Sequence, residues 1–336
     1  MGSKPLIYAQ FGRETTWNTG VAATAKLMGL DDLKTTVDIA NTQARYLQGD
    51  YAPAHAVTQT YASGQIKTAG VFNFDDACVI CDAALQGGVA GSLSDTSAYT
   101  WTYAAPYAAA GSQRPRTLEV YDGQQGYKLT GGLIKGFGLQ GQVGGGNLVR
   151  MTTHWLGGTF AKATPTAAIS ARTVRTHPAS LVSLRADNFG GTVGTTALTS
   201  TLIDWSLDYD SGLHLKQFGH DTSLAPTSYG YGTPTATLRA KLEFNANAVA
   251  ELDKFIAGTG RLIELRGTSP ELAGAASVYK QFKIQFAGDI TSVSDLWSDR
   301  DGNTVIDVTL SARVDTGTFA NYLKVILVNS MSALPG

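Results

Sequence analysis

Only two cysteines, Cys78 and Cys81, occur among 336 residues, so no framework of disulfides supports this chain. Charge is scarce as well. Charged residues make up 16% of the sequence, well below the usual quarter, and the formal net charge is −1. A protein that holds nucleic acid by neutralising phosphates shows a basic excess, and none is present. Long apolar runs are missing too. "YLKVILV", near the end, is far too short to span a bilayer, and the apolar part of "MGSKPLIYAQFG" is too short for a signal peptide. Leu6 stands where myristoylation of Gly2 requires Ser or Thr. These absences lead to the expectation of a soluble protein made inside a cell, with no membrane contact.

Chemistry-bearing patterns are equally thin. The five histidines (His55, His154, His177, His214, His220) have no metal-ligand spacing. No serine occupies a G-x-S-x-G elbow. "CVIC" lacks the second pair that a zinc site needs, and Asp75 and Asp76 beside it oppose a thiolate, so the two cysteines read as small core-facing residues on a short helix. "DRDGNT" (299–304) fails as a calcium loop, since Trp297 and Val308 stand at ligand positions; Asp301-Gly302 reads as a hairpin turn. Asp208 and Asp210 share one strand face, where solvation is the common reason. The expectation is no enzyme, no cofactor and no metal.

One phosphate motif does appear. "GFGLQGQVGGG" contains G-x-G-x-x-G at Gly136, Gly138 and Gly141. A dinucleotide site needs a helix opening at the third glycine. Here more glycines and then a strand pattern follow, so these glycines read as strand bulges and hairpin-turn positions.

What is abundant is Gly (38 residues), with Thr, Ser and Tyr, in a chain that is 43% hydrophobic. Such a composition favours strands and turns around packed cores. The length suits two domains. Residues 33–48 open with strand-like alternation, and 66–74 alternate through Phe72 and Phe74. "DDACVICDAALQGG" reads as a short helix with Asp75 as N-cap and Gly87–Gly88 as its stop. Residues 88–115 read as a long loop, followed by two strand-like runs up to Gly158. The second half repeats this order. Residues 202–219 alternate through Trp205 and Leu207, and 236–244 through Leu238 and Leu242. A helix follows, capped by Asn245 and stopped by Gly258, with Val249, Leu252, Phe255 and Ile256 as its apolar face. A shift of 170 superimposes these parts, placing Asp38 on Asp208 and Asp75 on Asn245. The final hairpin needs 156, and the difference falls in the long loop of the first copy. The pattern is a duplication without marked residue identity, with domains at 1–165 and 166–336 and an arm at 315–336.

The run "LEVYDGQQGYKLTGGLIKGFGLQGQVGGGNLVRMTTHWLGG" resembles the major tail tube proteins of long-tailed (siphovirus-type) bacteriophages. Tyr121, Asp122 and Gly123 form the turn of that resemblance; Tyr127, Leu129 and Gly131 form a Y-x-L-x-G; and Trp155 ends the closing strand. "TLIDWSLDYDSGLHLKQFGHD" with "TATLRAKLEF" is similar to another segment of the same family. The likeness runs from about Tyr8 to Val314. It implies a mainly β fold of two tandem β-sandwich or barrel domains, each with one short flanking α-helix. It implies a structural virion protein whose rings stack into a tail tube, the conduit for DNA ejection. A duplicated chain needs three copies for a pseudo-six-fold ring, and the fused pair leans toward a non-contractile tail. The implied partners are sister copies, the tape measure protein and tail-completion or baseplate proteins, with DNA passing without specific binding. The implied location is the virion tail after synthesis in the host bacterial cytoplasm.

On this reading Asp38 and Asp208 are candidates for a negative lumen wall that repels phosphates. Equivalent loops at 49–62 and 219–234 are candidates for contacts between rings, through Gly49, Asp50, Tyr51, His55, Gly219, His220, Asp221 and Tyr229. Residues 161–182, between the domains, are a further candidate arm. A competing reading is a two-domain carbohydrate-binding or surface-adhesion β-sandwich in which Trp101, Tyr103, Tyr107, Tyr229 and Tyr231 stack on sugars. A third is an enzyme with an unrecognised carboxylate site.

Overall fold

A computed structural model describes residues 6–46, 54–88, 91–93, 97–109, 113–219, 225–274, 277–294, 298–300 and 302–335, with positions 95, 111 and 296; across 37–62 and 92–93 the description is of the backbone. The first half of the chain forms β1 (Tyr8–Arg13), β2 (Ala25–Leu27), β3 (Leu30–Tyr46), β4 (Ala54–Val71), α1 (Phe74–Ala84), β5 (Gln86–Gly87), β6 (Ser92–Leu93), β7 (Tyr99–Ala104), β8 (Arg116–Tyr121), β9 (Gly126–Gln142), β10 (Arg150–Gly157) and β11 (Thr159–Lys162). The second half forms β12 (Val182–Asn188), β13 (Ala197–Leu198), β14 (Leu202–Asp210), β15 (Leu213–Lys216), β16 (Ser228–Tyr231) and β17 (Thr235–Glu243). It ends with α2 (Ala246–Ile256), β18 (Arg261–Leu272), β19 (Tyr279–Val293), β20 (Ser298–Arg300), β21 (Asn303–Ala312) and β22 (Leu323–Asn329). The fold is mainly β and antiparallel.

Alternation builds these strands. In β14, Trp205, Leu207 and Tyr209 are buried while Asp208 and Asp210 are exposed; β17 buries Leu238, Ala240 and Leu242, and β22 alternates along its whole length. One face of each thereby joins the core and the other meets water.

Each half pairs its strands in the same order. The first half gives β3–β4–β10–β9 in one sheet and β2–β1–β8–β9–β11 in the other. The second gives β14–β17–β21–β19 and β13–β12–β18–β19–β22. In both, one long strand passes from sheet to sheet at a bulge. The extra residue is Lys135 in β9 and Thr291 in β19, and a second pair of bulges leaves out Asp31 in β3 and Ile203 in β14.

These bulges fix the correspondence between halves as 172 from β3 through the helices and 156 for β9 from Gly132 onward with β19; a further bulge in β9 between Leu129 and Gly132, without a counterpart in β19, makes it 157 for the start of the strand. Both helices have 11 residues, with N-caps Asn73 and Asn245, again 172 apart. The expected shift of 170 is therefore corrected by two, and its origin is the cap: Asp75 lies in the first turn of α1, not at its N-cap. Two residues are one strand period, so the alternation matches equally well either way. Asp38 corresponds to Asp210, and Asp208 to Thr36.

Three further expectations change. Residues 88–115 contain β7, whose Trp101 and Tyr103 are fully buried; its pairing partner is β22, from the far end of the chain, which local sequence does not reveal. The segment 315–336 is stitched between β19 and β7 through β22. On α2, Val249 and Ile256 are exposed, while the helix buries Ala248 and Glu251.

Candidate assembly edges and inner wall

The two halves share one continuous sheet. β9 pairs with β14 from Gly136↔Asp210 to Gln142↔Asp204, while its other side holds β10. The resulting order is β3–β4–β10–β9–β14–β17–β21–β19. The G-x-G-x-x-G glycines sit at this joint. A Cβ on Gly136 would lie 2.7 Å from the Tyr209 carbonyl oxygen, and one on Gly141 would lie 2.6 Å from the Trp205 indole nitrogen. Glycine is required there by close strand approach, not by a phosphate. The hairpin turn after β9 holds Gly144, Gly145 and Gly146 at positive φ.

Behind the joint lies an aromatic cluster drawn from both halves. The Phe282 ring is 5.1 Å from Phe72, 5.1 Å from His177 and 6.2 Å from Trp205, and Phe74 meets Phe72 and His177 edge-on. Burial without a compensating charge pushes His177 down to about 4, so the ring is neutral in the fold. One apolar core spans both halves.

At each end of the shared sheet an edge is open. Among the described residues β3 pairs only with β4, and β19 beyond Gly288 pairs only with β21. Thr35, Thr36, Ser292 and Ser294 on these edges are exposed. Unpaired backbone donors and acceptors of this kind invite another strand.

The sheet face opposite the core is concave, polar and of mixed sign. Asp208 lies opposite Thr237 and Gly138, in a row that ends at Asp32, and shares its face with Lys241, Arg239, Arg150, Lys67 and Lys34 on neighbouring strands. Lys241 pairs with Asp307 at 3.6 Å and Arg300 with Asp204 at 2.6 Å. Asp208 and Asp210 are both exposed there, but the basic residues beside them prevent a uniformly negative wall. Asp38 lies on β3 by its backbone alone.

Each half anchors its helix with a buried ion pair. Arg116, first in β8, donates from Nη2 to Asp82 of α1 at 2.6 Å; Arg261, first in β18, donates to both oxygens of Glu251 in α2 at 2.6 and 2.7 Å. Arginine opens "RTLEVY" and "RLIELR" alike, and this shared residue is the sequence signal of the anchor. The equivalent buried acids Glu119 and Glu264 follow three residues later in each strand. Cys78 and Cys81 are fully buried, and burial raises both thiols well above their ordinary range, which removes the thiolate that redox chemistry needs.

Of the loop candidates, Gly49, Asp50, Tyr51, His220 and Asp221 lie outside the described residues, and His55 lies on β4 by its backbone. Gly219 is exposed. Tyr229 is half-buried on the β15–β16 hairpin, which folds back on the first half: its ring is 5.3 Å from Trp17, beside Leu133, Leu156 and Leu213. Among the proposed sugar platforms, Trp101 and Tyr103 are buried, and Tyr107 is exposed. Among the described residues no group of three or more His, Cys, Asp or Glu side chains is placed to hold a metal ion, and no helix is long and apolar enough to cross a membrane.

A family model described as phage tail tube protein matches residues 6–320. Comparison with curated proteins gave no match.

Proposed function

Because the chain belongs to the phage tail tube family, and so is a structural protein of the virion tail, we propose that it is two copies of one tube domain, 1–165 and 166–336, whose three-chain rings stack into the conduit for DNA ejection. The observation that carries this reading is the pairing of β9 with β14, by which one half completes the sheet of the other, while β3 and β19 leave equivalent edges open. Carrying the internal joint over by 156 and 172 sets Ser292–Ser294 of one chain beside Thr36–Asp38 of the next, antiparallel. Backbone pairing supplies the affinity, as in strand addition generally.

Closure of the sheet in this way turns the concave face inward, and with it Asp38, Asp208 and Asp210. DNA then slides past a wall whose charges largely neutralise one another, gripped by none of them. Tape measure and completion proteins occupy or cap such a tube. The loops around Gly49–Tyr51 and Gly219–Asp221 face the neighbouring ring. Electron microscopy of the purified protein at rising concentration tests the reading. Rings of three chains that stack into tubes are the expected result. A protein that stays a monodisperse monomer at millimolar concentration refutes it.

A further inference from the structure

The two helices are equivalent in position and unequal in cover. The face of α1 formed by Phe74, Ala77, Cys78, Cys81 and Ala84 is at most 1% exposed. It is covered from the second half, where Asn329 of β22 reaches Asp75 at 3.3 Å and the Cys78 sulfur at 3.4 Å, and by β7, which pairs with β22. Moving this face by 172 gives Ala246, Val249, Ala250, Asp253 and Ile256 on α2. All five are exposed, Ile256 at 74%. Ala246, Val249, Ala250 and Ile256 together form a contiguous apolar face on α2 that is left in water, and a patch of this kind is a place for a partner.

The strand in the first half that corresponds to β22 is β11, which pairs with β9 as β22 pairs with β19. β9 carries one extra residue between Leu129 and Gly132, so Tyr127 corresponds to Ile284, and the registers Tyr127↔Lys162 and Ile284↔Val325 make Lys162 the counterpart of Val325, and Thr164 that of Leu327. Lys162 and Thr164 are exposed, whereas Val325 and Leu327 are buried.

We propose that the exposed face of α2 is covered by a second copy of this chain, through the β9–β11 sheet of its first half, as β19–β22 covers α1 within one chain. This rests on the ring reading above and adds to it a second contact that involves no strand pairing. Its apolar area is lost from water only in the ring, so it drives closure where the edge pairing sets register.

The test uses the full chain. Ile256→Asp and Lys162→Asp each alter an exposed side chain, so melting temperature and circular dichroism of the unassembled protein should match the wild type. The concentration needed for rings should rise at least tenfold for either. In a co-assembled mixture of Ile256→Cys and Lys162→Cys chains, a short bismaleimide should link position 256 to position 162 of another chain, with Cys78 and Cys81 too buried to compete. Rings forming at wild-type concentration in the Ile256→Asp and Lys162→Asp variants, or no 256–162 product from assembled rings, overturn the proposal and leave the ring reading intact. A wild type that makes no rings removes both.

Discussion

Arg116 is the most demanding single residue in the chain: fully buried, bonded to a buried Asp82, and with Nε and Nη1 lacking partners among the described residues. Burial lowers this guanidinium to about 10 and raises the Asp82 carboxyl despite their mutual attraction. Both directions say that desolvation outweighs Coulomb attraction, so the pair is not a net source of stability. Removing one member is another matter. Arg116→Ala leaves Asp82 buried with only the partly exposed Arg114, at 3.0 Å, and should cost about 3 kcal/mol, the low end for a broken buried pair. The double replacement Arg116→Met with Asp82→Leu should recover most of that loss. Urea denaturation of the two variants measures both values, and an Arg116→Ala protein as stable as the wild type would show that the pair is not desolvated as described.

At the scale of elements, the two helix caps look alike and act differently. Asn245 accepts from the backbone N–H groups of Asn247 and Ala248 at 3.0 and 3.2 Å, the ordinary duty of a cap. Asn73 spends its oxygen on the Arg175 N–H of the linker and its amide on Asp76, each at 3.1 Å. Asn245→Asp keeps both cap bonds and suits the helix N-terminus, but it loses the amide donor that reaches the exposed Ser200 carbonyl at 2.9 Å and the Thr201 hydroxyl at 3.2 Å, so it should cost no more than about 1 kcal/mol. Asn73→Asp places a carboxylate against Asp76 and removes its donor, and should cost about 1–3 kcal/mol. Thermal unfolding of both variants distinguishes these outcomes. This difference also shows where the sequence is legible. Asn245, Gly258 and the alternation of β14 and β17 carry local signals that name their own structure. β7 does not, because its partner β22 is distant and the choice of strand over loop is made by that partner. The offset between the repeats was hidden for a different reason: a two-residue error leaves every side chain on its proper face, and only the bulges and the true cap expose it. The apolar face of α2 is legible as a pattern, yet Val249 and Ile256 on it are exposed, since amphipathicity does not say what, if anything within the chain, covers a face.

For the whole molecule, the joint between halves and the joint between chains have the same plan but different chemistry. Inside the chain β9 brings glycines to the crossing, and the counterparts of Gly136 and Gly138 on β19 are Ser292 and Ser294. Gly136 has no room for a side chain, because a Cβ would press on the backbone oxygen of Tyr209, which cannot rotate away. Gly136→Val should thus force β14 off β9 and cost about 1–3 kcal/mol or more, as overpacking does, and the loss appears in the unassembled chain as a lowered melting temperature. Ser292 is exposed on an open edge, so Ser292→Val should leave that melting temperature unchanged, and the branched side chain suits a strand that gains a partner. The contrast is informative only if both are measured before and after assembly. A permanent joint within the chain and a formable one between chains predict opposite sensitivities: the glycine variant fails as a monomer, and the serine variant differs from wild type only in the concentration at which rings appear. Equal melting losses in the two variants would mean that the edge of β19 is already supported within one chain, and the sheet would then have no reason to recruit a neighbour.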